Sequence, residues 1–251
     1  MPSTIYFLKA LFRGIGYYVL YCIVGLVAFA VSYIVLAFNL DDVINYLSRS
    51  WSNIHGVFTS YFVHGNWPHL IANFVMYLIV VLIAFLTARF MHTKSRLPAF
   101  PPSWRLWLYA QLILMLIIGA VDLAFNPIYR FNGRSMGMSD LISALVMIAV
   151  GNIILYYYLE VKRRRSLLSR LLLCITASLI TLSFVSIFSF SSAISLVVEK
   201  VNVMGHVYGA MIGSILTLII MAYYTHKLKS YTPLLTYSVA CIASLLIICF
   251  I

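Results

Sequence analysis

Three short stretches hold side chains that could perform acyl chemistry. "HGNWPHLIAN" (64–73) carries two histidines and an asparagine, "GMSD" (137–140) a serine, and "GHVYGAMIG" (205–213) a histidine followed by spaced glycines. A serine hydroxyl is a weak nucleophile until a base takes its proton, and the oxyanion that forms needs hydrogen-bond donors. His69 and Asn73 stand at i and i+4, about 40° apart on a helix, so they can address one partner together. His206, Gly209 and Gly213 fall within a sector of about 60° by the same geometry. Glycines on that face let another helix approach closely, which could bring Ser139 within reach of His206. Ser139 follows Gly137 where a helix starts, and free backbone N–H groups lie there. No carboxylate is evidently placed to orient His206, so these residues make a Ser-His dyad. Asp122 is the one intramembrane carboxylate to consider, and its simpler roles are helix packing or an interface contact. Each residue also has an ordinary reading: Ser139 as a helix cap, His206 as a satisfied interhelical histidine, His69 and Asn73 as polar glue.

The elements that must position these residues are membrane helices. Of 251 residues, 63% are hydrophobic and 9% charged, and the mean hydropathy is +1.01; soluble domains do not have this composition. Apolar runs of the roughly 20 residues needed to cross a bilayer lie near 15–38, 69–88, 105–125, 139–159, 167–188, 205–225 and 232–251. The expectation is an all-α polytopic membrane protein with seven spans. The first run is too long for a signal h-region and lacks a cleavage site, so it reads as a retained span. The net charge of +11 raises nucleic acid as a partner, but the basic residues sort by topology. With a cytosolic N-terminus, Lys9, Arg13, Arg89, Lys94, Arg96, Arg105, Lys162, Arg163, Arg164, Arg165, Arg170, Lys227 and Lys229 lie inside; Arg49, Arg130, Arg134 and Lys200 lie outside. That asymmetry fits the positive-inside rule and puts the C-terminus outside, with "VKRRRS" beside anionic headgroups. The partners expected are a lipid bilayer and no nucleic acid. In this orientation the second, fourth and sixth spans run the same way and begin at His69, Ser139 and His206, so the polar set shares one depth near the outer face. Strongly polar groups inside a bilayer are usually functional.

The loops are short except 39–68 and 126–138. In the first, Ile44, Leu47, Trp51, Ile54 and Phe58 recur at helical spacing behind a possible Asp41 cap, which predicts a helix lying in the interface with Trp51 and Trp67 as anchors. Tyr156, Tyr157 and Tyr158 read as an aromatic belt. Cys22, Cys174, Cys241 and Cys249 lie within apolar runs without metal-ligand spacing and read as core residues. His55, His92 and His226 read as solvated. "GRSMG" makes Ser135 a rival to Ser139, but that elbow needs a strand-to-helix turn in an α/β sheet. His69 is not part of a His-Glu-x2-His pattern, so neither zinc nor another cofactor is expected. No repeat supports a transporter with symmetry-related broken helices. A single membrane domain over 1–251 is expected.

Taken together, the motifs resemble rhomboid intramembrane serine proteases. The family's second span begins His-x4-His-x3-Asn, its fourth begins Gly-x-Ser-Gly, and its sixth carries His-x2-Gly-x3-Gly. Here these are His64, His69 and Asn73; Gly137, Met138 and Ser139; and His206, Gly209 and Gly213. The resemblance covers roughly 15–225 and implies a six-helix core, with 232–251 as a seventh, C-terminal span. It implies Ser139 as nucleophile and His206 as general base and acid. It also implies an oxyanion site from the Ser139 N–H with His69 and Asn73, and His64 as a structural brace. Transmembrane protein substrates cut near the outer face, in a plasma membrane, follow from the same resemblance. Two positions depart from the pattern: Asp140 stands for the glycine after the nucleophile, and Ser143 for an aromatic that stacks on the histidine. Asp140 suits the helix dipole, yet a carboxylate beside a developing oxyanion opposes it unless it faces water or is protonated. The departures motivate an alternative: a catalytically inactive rhomboid-like pseudoprotease that binds or scaffolds membrane proteins.

Overall fold

The computed structural model describes residues 12, 14–50, 53–95, 103–125, 136–163 and 203–239. Among the described residues the chain is helical, with one isolated bridge between Ser50 and Asn53. Helix α1 (14–21) and α2 (Ile23–Ala37) meet at Cys22 with a bend of 62°. Two short helices, α3 (Asp41–Leu47) and α4 (Gly56–Thr59), and a 3₁₀ turn (Ser60–Phe62) then lead to four long helices. These are α5 (Trp67–Ser95), α6 (Trp104–Phe125), α7 (Ser139–Arg163) and α8 (Val203–Leu228). A last described helix, α9, covers 232–239. Among the described residues four helices are long and apolar enough to cross a membrane, or five if α1 and α2 form one bent span. The molecule is thus an all-α membrane protein. The expected fifth span at 167–188 lies outside the described residues, as do Trp51, Ser135, Cys174, Cys241 and Cys249; the expected seventh span is described only over 232–239.

Helix α7 is the axis around which the others are arranged. Its membrane-length stretch is 83% buried, against 33–39% for the stretches in α5, α6 and α8. It packs mainly against α8 and α5. Its apolar side chains Leu141, Leu145, Ala149 and Leu155 are fully enclosed by protein rather than facing lipid. Small residues make the α7–α8 seam. A Cβ at Gly209 would collide with the Asp140 carbonyl oxygen, and one at Gly213 would stand 2.5 Å from the Ala144 carbonyl oxygen. Close backbone approach of this kind replaces the hydrophobic drive that helices lack inside a bilayer. α9 joins the same core, since the buried Tyr237 hydroxyl donates to the Met147 carbonyl at 3.1 Å. On the other side, Tyr77 of α5 donates to Gln111 of α6 at 2.6 Å, and the Tyr18 hydroxyl donates to the Leu78 carbonyl at 2.8 Å.

The long loop departs from the single interfacial helix expected from its apolar spacing. Helix α3 stops at Leu47, and α4 starts only at Gly56. The break lets the loop turn inward and bury Arg49, which is 1% exposed. Asp41 is the first helical residue and not a cap; the N-cap is Leu40, with no side-chain bond.

Replacing Gly213 by leucine should force α7 and α8 apart and lower stability by roughly 2–3 kcal/mol through overpacking. Gly16, with no neighbour within 4 Å of a built Cβ, should accept alanine with a change within about 0.5 kcal/mol. Unfolding of the detergent-solubilised variants, followed by circular dichroism, measures both.

Candidate active site

The N-terminal ends of α5, α7 and α8 converge, and each does so for a local reason. α5 starts where Asn66 caps it, its Oδ1 accepting the His69 N–H at 2.8 Å; Pro68 in the first turn gives up an amide that no helix would satisfy. His69 and Asn73 follow on one face. α7 starts from a turn at Gly137, whose φ of +96° is left-handed and open to glycine at little strain. The Gly137 N–H donates to the Ser60 carbonyl at 2.9 Å, pinning the turn to the loop. A Cβ at Gly137 would stand 3.1 Å from Asn73 Nδ2, 3.1 Å from His69 Cε1 and 3.3 Å from His64 Cδ2. Glycine at this position therefore sets the approach to Ser139 directly against the His64, His69 and Asn73 side chains.

Met138 is the residue before the first turn of α7, its carbonyl accepting the Ile142 N–H at 2.9 Å. The N–H groups of Ser139, Asp140 and Leu141 consequently have no partner within their own helix. Ser139 itself is partly exposed. Its carbonyl accepts a bond from Ser143 Oγ at 2.8 Å. Ser143 lies fully buried in the α7–α8 seam, its Cβ 3.1 Å from the position a Cβ would take at Gly209. A small residue suits that seam.

His64 sits within a buried chain of hydrogen bonds. Asn73 Nδ2 lies 3.1 Å from His64 Nε2, and His64 Nδ1 lies 2.8 Å from Ser32 Oγ, which donates to the Phe62 carbonyl at 2.9 Å. Because an amide nitrogen only donates, Nε2 accepts and Nδ1 carries the proton. The chain Asn73 to His64 to Ser32 to Phe62 is complete with a neutral ring. Burial, with His69 close by, pushes the His64 pKa down to about 3. The His64 and His69 rings meet edge to face at 5.2 Å.

On the α8 side the polar groups are charged. Arg49 Nη2 reaches Asp122 Oδ2 of α6 and Asp140 Oδ2 of α7, each at 2.7 Å. The Arg49 Nη1 group lies 3.4 Å from the Tyr61 hydroxyl, and the guanidinium carbon is 5.6 Å from the Tyr61 ring centre. Burial opposes the Arg49 charge, but Asp140, Tyr61 and Asp122 outweigh it and hold the guanidinium above its ordinary range. Burial pushes the Tyr61 phenol up as well. Asp140 does not face water: it is 3% exposed, and its charge is met by Arg49. Its other oxygen, Oδ1, lies 4.0 Å from His206 Nε2. The sequence offered no carboxylate evidently placed toward His206; the structure brings one there from the residue next to Ser139.

Structure thus gathers His64, His69, Asn73 and Gly137 at one side of Ser139, and Gly209 and Asp140 near His206 at the other. Arg49, counted from sequence only as a loop charge, and Ser32 are the residues that reading missed. The signal for Arg49 is sparse acid: six Asp and Glu in the whole chain, two of them at the ends of apolar runs, demand a cation nearby. Ser32 carries no such signal. Among the described residues, no group of three or more His, Cys, Asp or Glu is arranged to hold a metal ion. Comparison with known proteins places the chain nowhere: no family model, curated protein or solved structure matches it.

Two outcomes follow from this geometry. His64 binds its proton less readily folded than unfolded, near 6.5. Its contribution to stability is therefore complete above that value and is lost as pH falls from about 6.5 toward about 3. The thermal midpoint should drop over that window, and His64→Gln should flatten the drop while lowering the midpoint at neutral pH. Arg49→Leu leaves two carboxylates buried together and should remove about 3–5 kcal/mol. Adding Asp122→Asn to Arg49→Leu should recover part of the loss in the same unfolding assay.

Proposed function

We propose that the chain is a rhomboid-like intramembrane serine endopeptidase with a six-helix core and a seventh C-terminal span. It cleaves transmembrane protein substrates near the outer face of the cell membrane, with its N-terminus in the cytosol. The observation that carries this reading is the Gly137 turn, which sets the free N-terminus of α7, and Ser139 with it, against His69 and Asn73. The α7–α8 glycine seam supports it by drawing the helix of His206 onto the same end of α7.

In this mechanism Ser139 Oγ attacks the scissile carbonyl while His206 takes its proton. The carbonyl electron pair moves to oxygen, held by the Ser139 N–H and the His69 and Asn73 side chains. His206 then returns the proton to the leaving amine, and water repeats the sequence on the acyl-enzyme. A substrate helix must unwind locally to expose its peptide bond, because a continuous membrane helix satisfies its own backbone. His64 acts by holding Asn73 in place.

A second reading, a non-catalytic rhomboid-like binder or scaffold, is favoured by one observation: Asp140, the residue after Ser139, is tied into the buried Arg49 cluster. Cleavage of a model transmembrane substrate in liposomes separates the two. The wild type should cleave, Ser139→Ala and His206→Ala should lose cleavage by at least about a thousandfold, and Ser135→Ala should cleave like the wild type. Equal turnover by Ser139→Ala would discard the protease reading. A silent wild type, with no labelling of Ser139 by a fluorophosphonate, selects the scaffold.

A further inference from the structure

The two carboxylate oxygens of Asp140 face different partners. Oδ2 accepts from Arg49 Nη2 at 2.7 Å, and Oδ1 faces His206 Nε2 at 4.0 Å. The second distance exceeds a hydrogen bond and lies within reach of an ion pair. The approach depends on the residue just before His206: a Cβ at Gly205 would stand 2.6 Å from Asp140 Oδ1 and 2.7 Å from Oδ2. Only glycine leaves room for the carboxylate there. Arg49 and Gly205 together make a place built to hold Asp140 beside the ring, with its charge partly compensated.

We infer that Asp140 is a positioning residue for His206, fixing the tautomer that carries the proton on Nε2 and the lone pair on Nδ1. Its catalytic half rests on the proposal that Ser139 is the nucleophile; the pairing itself does not. With that tautomer, the Ser139 proton passes to Nδ1 as Oγ bonds the carbonyl carbon and the π pair moves to oxygen. The ring becomes an imidazolium whose Nε2–H faces Asp140 Oδ1. Nδ1 gives the proton to the leaving amine nitrogen as the C–N bond breaks. Asp140 takes no proton in these steps, acting as the orienting carboxylate of a triad acts. The aspartate that departs from the rhomboid glycine thereby turns a dyad into a three-residue arrangement drawn from two helices.

Asp122→Asn is the control for the tautomer, since each aspartate is a carboxylate partner of Arg49 and it is Asp140 whose Oδ1 lies 4.0 Å from His206 Nε2. Either single variant leaves the guanidinium a carboxylate, so neither strands a buried charge. The full chain, labelled with ¹⁵N-histidine in detergent, is read by nitrogen NMR, with the His206 signals identified by their loss in His206→Gln. The wild type and Asp122→Asn should show a protonated Nε2 and an unprotonated Nδ1. Asp140→Asn, whose amide can donate to Nε2, should move the proton to Nδ1. Fluorophosphonate labelling of Ser139 should slow by roughly a hundredfold in Asp140→Asn. Identical His206 signals in wild type and Asp140→Asn overturn the inference. The predicted NMR change without any labelling of wild-type Ser139 upholds the Asp140–His206 pairing and removes the protease reading.

Discussion

One guanidinium shared by two carboxylates is the constraint on which the rest of this site depends. Arg49, Asp122 and Asp140 are each nearly inaccessible to solvent, and ions so placed persist only when they meet each other with good geometry. Satisfying Arg49 requires three elements to come together: the long loop, the end of α6 that bears Asp122, and the first turn of α7. Once the loop is drawn in, the Ser60 carbonyl is in place to hold the Gly137 N–H, and His64 can reach Ser32 and Asn73. The route from a buried arginine to the position of Ser139 runs through these bonds.

The two flanks of Ser139 differ in electrostatic kind. Toward α5 lies a neutral chain of hydrogen bonds, from Asn73 to the Phe62 carbonyl, in which each donor has an acceptor. Toward α8 lies the charged cluster, which ends at His206. A neutral, fully paired network resists rearrangement, because breaking any link leaves a buried polar group unsatisfied. The charged side brings the carboxylates of Asp122 and Asp140 together on Arg49, with Asp140 reaching on toward the His206 ring. Rigid donors on one side and a titratable ring on the other are what the proposed acyl transfer would require.

Much of this was legible in the sequence, for identifiable reasons. Runs of about 20 apolar residues mark spans because a bilayer imposes that length, and α5, α6, α7 and α8 lie where those runs are. The glycines at 137, 209 and 213 were readable because close approach and left-handed backbone leave few substitutes. The bend at Cys22 was not: no proline or glycine marks it, and the apolar run is continuous through it. The helix expected over 41–58 failed because apolar spacing cannot say that a basic residue in its middle will be pulled into the bundle. Asp140 illustrates the same limit. Its sequence neighbours suggested a charge beside an oxyanion, whereas its partners come from the loop and from the Gly205 face of α8, which only tertiary packing specifies.

The burial of α7 separates two mechanical worlds. Changes in bilayer thickness or lipid composition act on surfaces that touch lipid, by tilting helices or altering their local surroundings. Such forces fall on the outer faces of α5, α6 and α8, where Ile79, Ile113 and Ile219 are exposed. They do not fall directly on α7, whose neighbours are other helices. The end of α7 that bears Ser139 is then a fixed reference within a deformable ring. A bilayer that shifts the surrounding helices changes which segments can reach the serine, and leaves the helix start from which it projects as it was.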